Sequence, residues 1–155
     1  MVNFKSYERY GKIIKSIRFE RRDKMDFNIK EGINLESKKT VKEDMLASNL
    51  GSGDINVFAT PIMIAMIEET ALKLVDPKLP DTYATVGYNV NVDHRAPTPL
   101  AMEVTAEVEL EKIEDRKLTF KVKVFDEKEL VGKGTHQRFI VNVDKLQNKA
   151  EAKND

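Results

Sequence analysis

The sequence predicts an α+β domain in which one long helix is enclosed by an antiparallel sheet, and three observations carry that expectation. The first is a single strong helical segment, roughly Pro61 to Val75, that opens with an unbroken apolar run from Ile62 to Ile67. The second is a set of four later segments that alternate apolar and polar residues with the period of a strand. The third is the shortness of the links between neighbouring segments, because strands joined by tight turns pair antiparallel.

Each element follows from its own residues. Ile33, Leu35 and Val41 mark a first strand interrupted by charge. Ser48, Asn49, Gly51, Ser52, Gly53 and Asp54 are turn formers without core residues, which reads as a mobile surface loop. Asp76-Pro77 and Pro80 close the helix. The four alternating runs pass through Ala84, Val86, Tyr88, Val90 and Val92; then Met102, Val104, Ala106, Val108 and Leu110; then Leu118, Phe120, Val122 and Val124; and finally from near Leu130 to Phe139, Val141 and Val143. Asp115-Arg116 and Glu127-Lys128 supply turns between them. A helix that is apolar all round its first two turns must be buried on nearly every side. A single sheet achieves this only by curling round the helix, which is the architecture of the hot-dog fold. Such a sheet keeps open edges, and edge-to-edge dimerisation is one way to close them. The domain is expected over residues 27–146, after a basic extension at 1–26 and before a polar tail at 147–155 that should fray.

Composition narrows the function classes. The 155 residues carry 26 bases against 26 acids, which argues against a dedicated nucleic-acid binder. The absence of cysteine removes disulfides, thiol nucleophiles and thiolate metal sites, and two histidines make a multi-histidine metal site a poor expectation. With no membrane-length apolar run and no signal-peptide core at the start, a cytoplasmic protein without membrane association is expected. Residues 1–25 hold eight Lys or Arg against three acids. Their Tyr10, Ile13, Ile14 and Ile17 fall at helical spacing, while Ile13, Lys15, Ile17 and Phe19 read equally as a strand. This arm either touches an anionic partner or packs on the domain with its charges in water.

Several residues stand out chemically. Thr60-Pro61 opens the helix, so Thr60 is either a simple N-cap or a hydroxyl set where the helix dipole and free N–H groups gather and an oxyanion would be stabilised. Glu68 has Pro61, Ile64, Ala65, Ala71, Leu72 and Val75 as its helical neighbours, which puts a carboxylate on the core face. Glu69 has Lys73 and Asp76 beside it and should face water. His94 ends a strand just before Pro97, a position suited to acid–base work or simply an exposed loop. Gly87 sits mid-strand, where it marks a bulge or a place where a ligand meets backbone, and Gly132 and Gly134 raise the same question beside His136 and Arg138. Arg138 would hold a phosphate or an acyl carbonyl, or be an ordinary surface charge.

In chain order these residues fall into a pattern: Phe58-Ala59-Thr60-Pro61, Met66-Ile67-Glu68-Glu69, Gly87 before Asn91-Val92-Asp93-His94, Ala96-Pro97-Thr98-Pro99, and Gly132 through Arg138. Together they resemble the fluoroacetyl-CoA thioesterase family of hot-dog proteins, over about Phe27 to Leu146. The resemblance implies a homodimer with its active sites at the interface. It places catalytic Thr, Glu and His on Thr60, Glu68 and His94, with substrate contacts at Gly87 and Arg138. It implies hydrolysis of a short-chain acyl-CoA, with CoA arriving as part of the substrate and no further cofactor or metal. The fluoroacetyl-specific enzyme gates its acyl pocket with phenylalanines ahead of the threonine; here Gly51 to Val57 holds no aromatic residue. A hot-dog enoyl-CoA hydratase or a non-catalytic acyl-CoA-binding protein are the rival readings.

Overall fold

A computed structural model of the protein describes residues 27–154; the basic extension falls outside the described residues. Strands β1 (Asn34–Thr40), β2 (Tyr83–His94), β3 (Glu103–Glu114), β4 (Lys117–Asp126) and β5 (Leu130–Asn142) form one antiparallel sheet in the order β1-β3-β4-β5-β2. The long helix α1 (Thr60–Val75) packs against its concave face, and the order of elements is that of a hot-dog fold. A shorter helix, α2 (Val143–Glu151), follows β5. No helix among the described residues is long and apolar enough to cross a membrane.

The alternation in β3 and β4 maps directly onto burial. Val104, Ala106, Val108 and Leu110 face the helix beside Leu118, Phe120, Val122 and Val124, all at most 1% exposed. From α1 they meet Met63, Met66, Ile67, Ala71, Leu74 and Val75. Each such large side chain contributes about 1.5–3 kcal/mol by leaving water. Asp115-Arg116 is the two-residue link between β3 and β4, with Asp115 at φ 58°. The next turn is closed by the Asp126 carboxylate, which accepts N–H bonds from Lys128 and Glu129.

Four expectations are corrected. The helix is not buried all round: Ile67 is fully buried and Ile64 partly so, but Pro61, Ala65 and Leu72 are exposed, Leu72 at 40%. Five strands cover one side of a helix and leave an apolar stripe on the other. In β2 the expected inward series does not hold throughout, because the register slips between Gly87 and Asn89. Before this β-bulge the inward residues are Thr85, which is buried, and Gly87; after it they are Val92 and His94, while Tyr88 is 66% exposed and stacks edge-on against Phe139. In β5 the inward residues are His136, Arg138 and Ile140, not the Phe139 and Val141 that complete the apolar alternation. The tail does not fray from 147. Val143 opens α2, capped by the Asn142 side chain, which accepts from the Lys145 N–H, and Gln147 reaches Glu151 one turn later. The loop after β1 contains two short helical turns, Glu43–Met45 and Ala47–Leu50, before the glycine-rich bends.

Candidate active site

Thr60 is not a cap. It is the first residue of α1, behind Ala59, and its hydroxyl is committed elsewhere: Oγ1 lies 2.7 Å from Nδ1 of His94. Both partners are held by backbone. The segment leading to Thr60 is tied down by Phe58 N–H to the Thr98 carbonyl and Ala59 N–H to the Met45 carbonyl. Beyond His94, the Arg95 N–H bonds to the Val131 carbonyl of β5. Thr98 is itself fully buried and donates to Asp126. The Phe58 ring meets the imidazole edge-on at 6.3 Å. Burial holds the His94 pKa below the ordinary histidine value, with the neighbouring Ala96 backbone only partly offsetting it. Pro61 has no N–H, and the amides of Ile62 and Met63 both turn to the Ala59 carbonyl, so the Thr60 N–H is the free donor at the helix start.

This pair opens into a cleft of about 370 Å³ whose walls include Ala47, Ile55, Val57, Phe58, Ala96 and Pro97. Thr60 and His94 are part of its lining, which is completed by Gly53 and the polar Ser52, Asp54 and Arg95, so the cleft joins an apolar wall to a polar, open rim. A comparable groove of about 410 Å³ lies on the outer face of the sheet among Glu36, Glu107, Lys121 and Lys123, away from this chemistry.

The other expected residues gather at a second place. Glu68 presses on the backbone of Gly87 so closely that a Cβ there would stand 2.3 Å from its Oε1. Arg138, only 4% exposed, donates from Nε to Thr85 Oγ1 at 2.7 Å and from Nη2 to the Thr85 carbonyl at 2.9 Å. Thr85 in turn donates its hydroxyl to Asp76 at 2.5 Å. His136, fully buried on this face, lies 3.8 Å from the same virtual Cβ. Glu69 is spent outside the site, paired with Lys39 and Lys73, whose hydrogen bonds pull its pKa down to about 2.

Within the chain, then, Thr60 and His94 form one cluster, and Glu68, Gly87 and Arg138 another. Thr60 and Glu68 are eight residues apart on one helix, about 12 Å along its axis. The remaining two glycines serve packing. A Cβ at Gly132 would meet the Met63 side chain, and one at Gly134 would stand 2.0 Å from the Asn91 carbonyl oxygen of β2. Thr85, Asp76 and His136 were not singled out for a role by sequence. The only available signal was that His136 and Arg138 share the strand phase opposite to the apolar one.

Comparison with known proteins identifies the family. The sequence model of the fluoroacetyl-CoA-specific thioesterase family matches residues 41–144. The chain belongs to that family. It is 32% identical over 97 residues, 63% of its own length and 70% of the relative's, to the fluoroacetyl-CoA thioesterase of Streptantibioticus cattleyicolor. Among solved structures, a fluoroacetyl-CoA thioesterase superposes with a TM-score of 0.76 at 27% identity, covering 81% of this chain and 97% of the other. A variant of that enzyme in complex with acetyl-CoA gives 0.78 at 25% identity, with 82% and 100% covered. A hot-dog-like protein from Thermanaerovibrio acidaminovorans, at 24% identity and TM-score 0.77 over 83% of this chain and 97% of the other, shares the fold. The members of this thioesterase family share the thioester-hydrolase chemistry that their name states, and the two clusters described above lie within the matched span.

Proposed function

We propose that the protein is a homodimeric short-chain acyl-CoA thioesterase whose reaction centre combines Thr60 and His94 of one protomer with Glu68, Gly87 and Arg138 of the other. The observation that carries this reading is the Thr60–His94 hydrogen bond in the wall of a cleft, in a chain whose remaining site residues stand together elsewhere. Two features support assembly across a twofold axis. Among the described residues the outer edge of β2 has no pairing partner over its twelve residues, and the strand carries one formal charge, Asp93. By contrast, the opposite edge strand, β1, carries Glu36, Lys38 and Lys39 in seven residues, the usual protection against pairing. Beside it, α1 exposes the apolar stripe Pro61, Ala65 and Leu72. A twofold axis near Ile64, four residues from both Thr60 and Glu68, would lay Thr60 alongside the partner subunit's Glu68, because both lie about 6 Å from it in opposite directions.

In this arrangement the acyl carbonyl lies at the start of α1, where the Thr60 N–H and the helix dipole favour the developing oxyanion. The neutral His94 accepts the Thr60 proton at Nδ1. Thr60 then either attacks the carbonyl carbon or holds the water that does. Where Thr60 attacks, its Oγ1 forms an ester with the acyl group as the C–S bond breaks and the CoA thiolate takes the proton from the imidazolium; a water then adds to that ester, giving a proton to His94, which passes it to Oγ1 as the ester bond breaks and the acid leaves. Where Thr60 holds the water, the water loses one proton to Oγ1 as it adds to the acyl carbon, the C–S bond breaks, the thiolate takes the proton from the imidazolium, and the acid leaves as carboxylate and a proton. The deciding assay offers a panel of acyl-CoA thioesters with detection of free thiol. Release of thiol supports hydrolysis, loss of enone absorbance without thiol would indicate a hydratase, and binding with neither would indicate a sensor.

The pH profile carries its own expectation. His94 must be neutral, and burial holds its pKa below about 6.5, so the acid limb of kcat/KM should fall below that value and the rate should be level above it. His136 is depressed in the same direction, first by burial and then by Arg138. Because both folded-state values lie below the unfolded ones, folding stability is full above the ordinary histidine pKa. It declines as pH drops through that range, before activity per folded molecule does. Thermal melts and initial rates at the same pH values check both halves.

Selectivity is the next expectation. Ile55, 69% exposed on the bend before α1, is the large apolar residue of the segment from Gly51 to Val57 that lines the cleft opposite His94. One small substituent in an apolar pocket is worth about 1–3 kcal/mol at most. A segment with no aromatic ring to close the pocket should reach only the low end of that range, so fluoroacetyl-CoA should exceed acetyl-CoA by no more than about tenfold in kcat/KM. A preference of several thousandfold would mean that another segment closes the pocket.

A further inference from the structure

His136 is fully buried, and the reaction outlined above gives it no role. Its surroundings fix its chemical state. On one side Nδ1 lies 2.9 Å from the Asn89 carbonyl oxygen in the β2 bulge, so Nδ1 carries the proton and donates it. On the other, Nε2 faces Nη1 of Arg138 at 3.4 Å; a guanidinium only donates, so Nε2 accepts. The ring lies flat on Phe120, with an interplanar angle of 23°. Arg138 is thereby gripped from two directions: His136 takes an Nη1 N–H, and Thr85, anchored by both oxygens of Asp76, takes Nε and Nη2. No carboxylate among the described residues lies within ion-pair distance of this buried cation. That arrangement costs several kcal/mol where stability is the only gain. Among the described residues one N–H on each of Nη1 and Nη2 has no protein partner; Gly87 stands opposite Arg138 in the β2–β5 pairing, and the Glu68 carboxylate acts on the guanidinium through space.

We infer that His136 is a positioning residue of the active site: a neutral imidazole, protonated at Nδ1, that holds the Arg138 guanidinium at the angle in which its two free N–H groups meet the acyl-CoA. The inference rests on the reading of the site given above and adds to it a residue that touches Arg138 rather than the reacting atoms. It also makes the hold sensitive to protonation. The charged groups around the imidazole are Arg138 on its own strand and Glu68 from α1, with Phe120 of β4 and the Asn89 carbonyl of β2 closing the remaining sides. A second proton would turn Nε2 from acceptor to donor against a guanidinium and release it.

The test has two readouts. The chain has only two histidines, so ¹⁵N spectra of the imidazoles are assigned with a single His136→Gln variant. At neutral pH the His136 signals should be those of the Nδ1–H tautomer, and Arg138→Met should raise its pKa. The Nε2–H tautomer or an imidazolium would overturn the inference whether or not the protein turns over any thioester. In kinetics, His136→Phe should keep the ring stack on Phe120 and raise KM about tenfold or more, with kcat within about threefold. His136→Gln, which offers an amide oxygen at the Nε2 position, should recover much of that loss. Thr85→Val should copy the KM effect from the other side of the guanidinium, and Thr85→Ser should reverse it. Thr85→Val keeps the question open to refutation should His136→Phe fail to fold. Unchanged KM in a folded His136→Phe or Thr85→Val variant would overturn the positioning role. A wild-type protein that hydrolyses no thioester would instead overturn the functional reading and leave the tautomer to judge the geometry.

Discussion

Mixing two dead variants should restore activity. Thr60→Ala removes the hydroxyl that meets His94, and Glu68→Gln removes the carboxylate beside Gly87. Each homodimer should lose about 10²–10⁴ in kcat, and the double variant little more, since groups acting as one unit lose most of the function at the first deletion. Unfolding the two variants together and refolding them redistributes the protomers at random, so half the dimers are mixed. Every mixed dimer then has one doubly damaged site and one intact site, built from Thr60 of the Glu68→Gln chain and Glu68 of the Thr60→Ala chain. The mixture should recover about a quarter of wild-type activity. Were the site contained within one protomer, no combination would be intact and the mixture would stay dead. Glu69→Gln is the control: its carboxylate is an exposed partner of Lys39 and Lys73, worth about 0–1 kcal/mol, and the rate should be near normal.

Two glycines on neighbouring strands should fail in opposite ways. An alanine at Gly134 would drive its Cβ to 2.0 Å from the Asn91 carbonyl oxygen and 2.7 Å from the Val92 Cα, both on the adjacent strand. Backbone cannot swing aside as a side chain can, so Gly134→Ala should cost on the order of 3 kcal/mol or more and separate β2 from β5. At Gly87 the obstruction is the Glu68 carboxylate, the end of a flexible side chain. Gly87→Ala should therefore fold, with stability lowered by about 1 kcal/mol, while the displaced carboxylate costs at least about tenfold in kcat. Thermal melts beside initial rates separate the two outcomes. A Gly87→Ala enzyme of normal rate would remove Glu68 from the mechanism.

The contrast between strands shows what the sequence can and cannot carry. Over Val104 to Leu110 in β3 and Leu118 to Val124 in β4 one face is all apolar and the other all polar, so period and burial coincide and both stretches were readable outright. In β5 the face turned to the helix carries His136 and Arg138, and its apolar alternate, Phe139, looks outward. Hydrophobic phase identifies the core face only where that face is spent on the core. The helix was legible to within one residue, yet its exposed stripe was not, because uninterrupted apolarity does not say whether a sheet or a second subunit covers it. Glu68 and Gly87 were each conspicuous alone, but their contact bridges nineteen residues of chain and has no local trace. Thr85 and Asp76 were invisible for a different reason: a threonine in a strand and an aspartate closing a helix are ordinary in both places.

The bulge at Tyr88 sets a rule of parity for this protein. Side chains in a strand alternate faces, so Thr85 and Gly87 would share their face with Asn89, Asn91 and Asp93 in a regular β2. The additional residue exchanges odd for even, and His94 arrives on the side of α1 where Thr60 waits. Between the Gly87↔Arg138 and His94↔Gly132 pairs β2 therefore takes one step more than β5, and deleting Tyr88 would make the strand regular and keep the imidazole on the side of α1. Loss of one residue between Gly87 and His94 should consequently be survivable, whereas loss of two should turn the imidazole to the outer surface, and a library of length variants in that stretch, assayed for rate and folding, checks the difference.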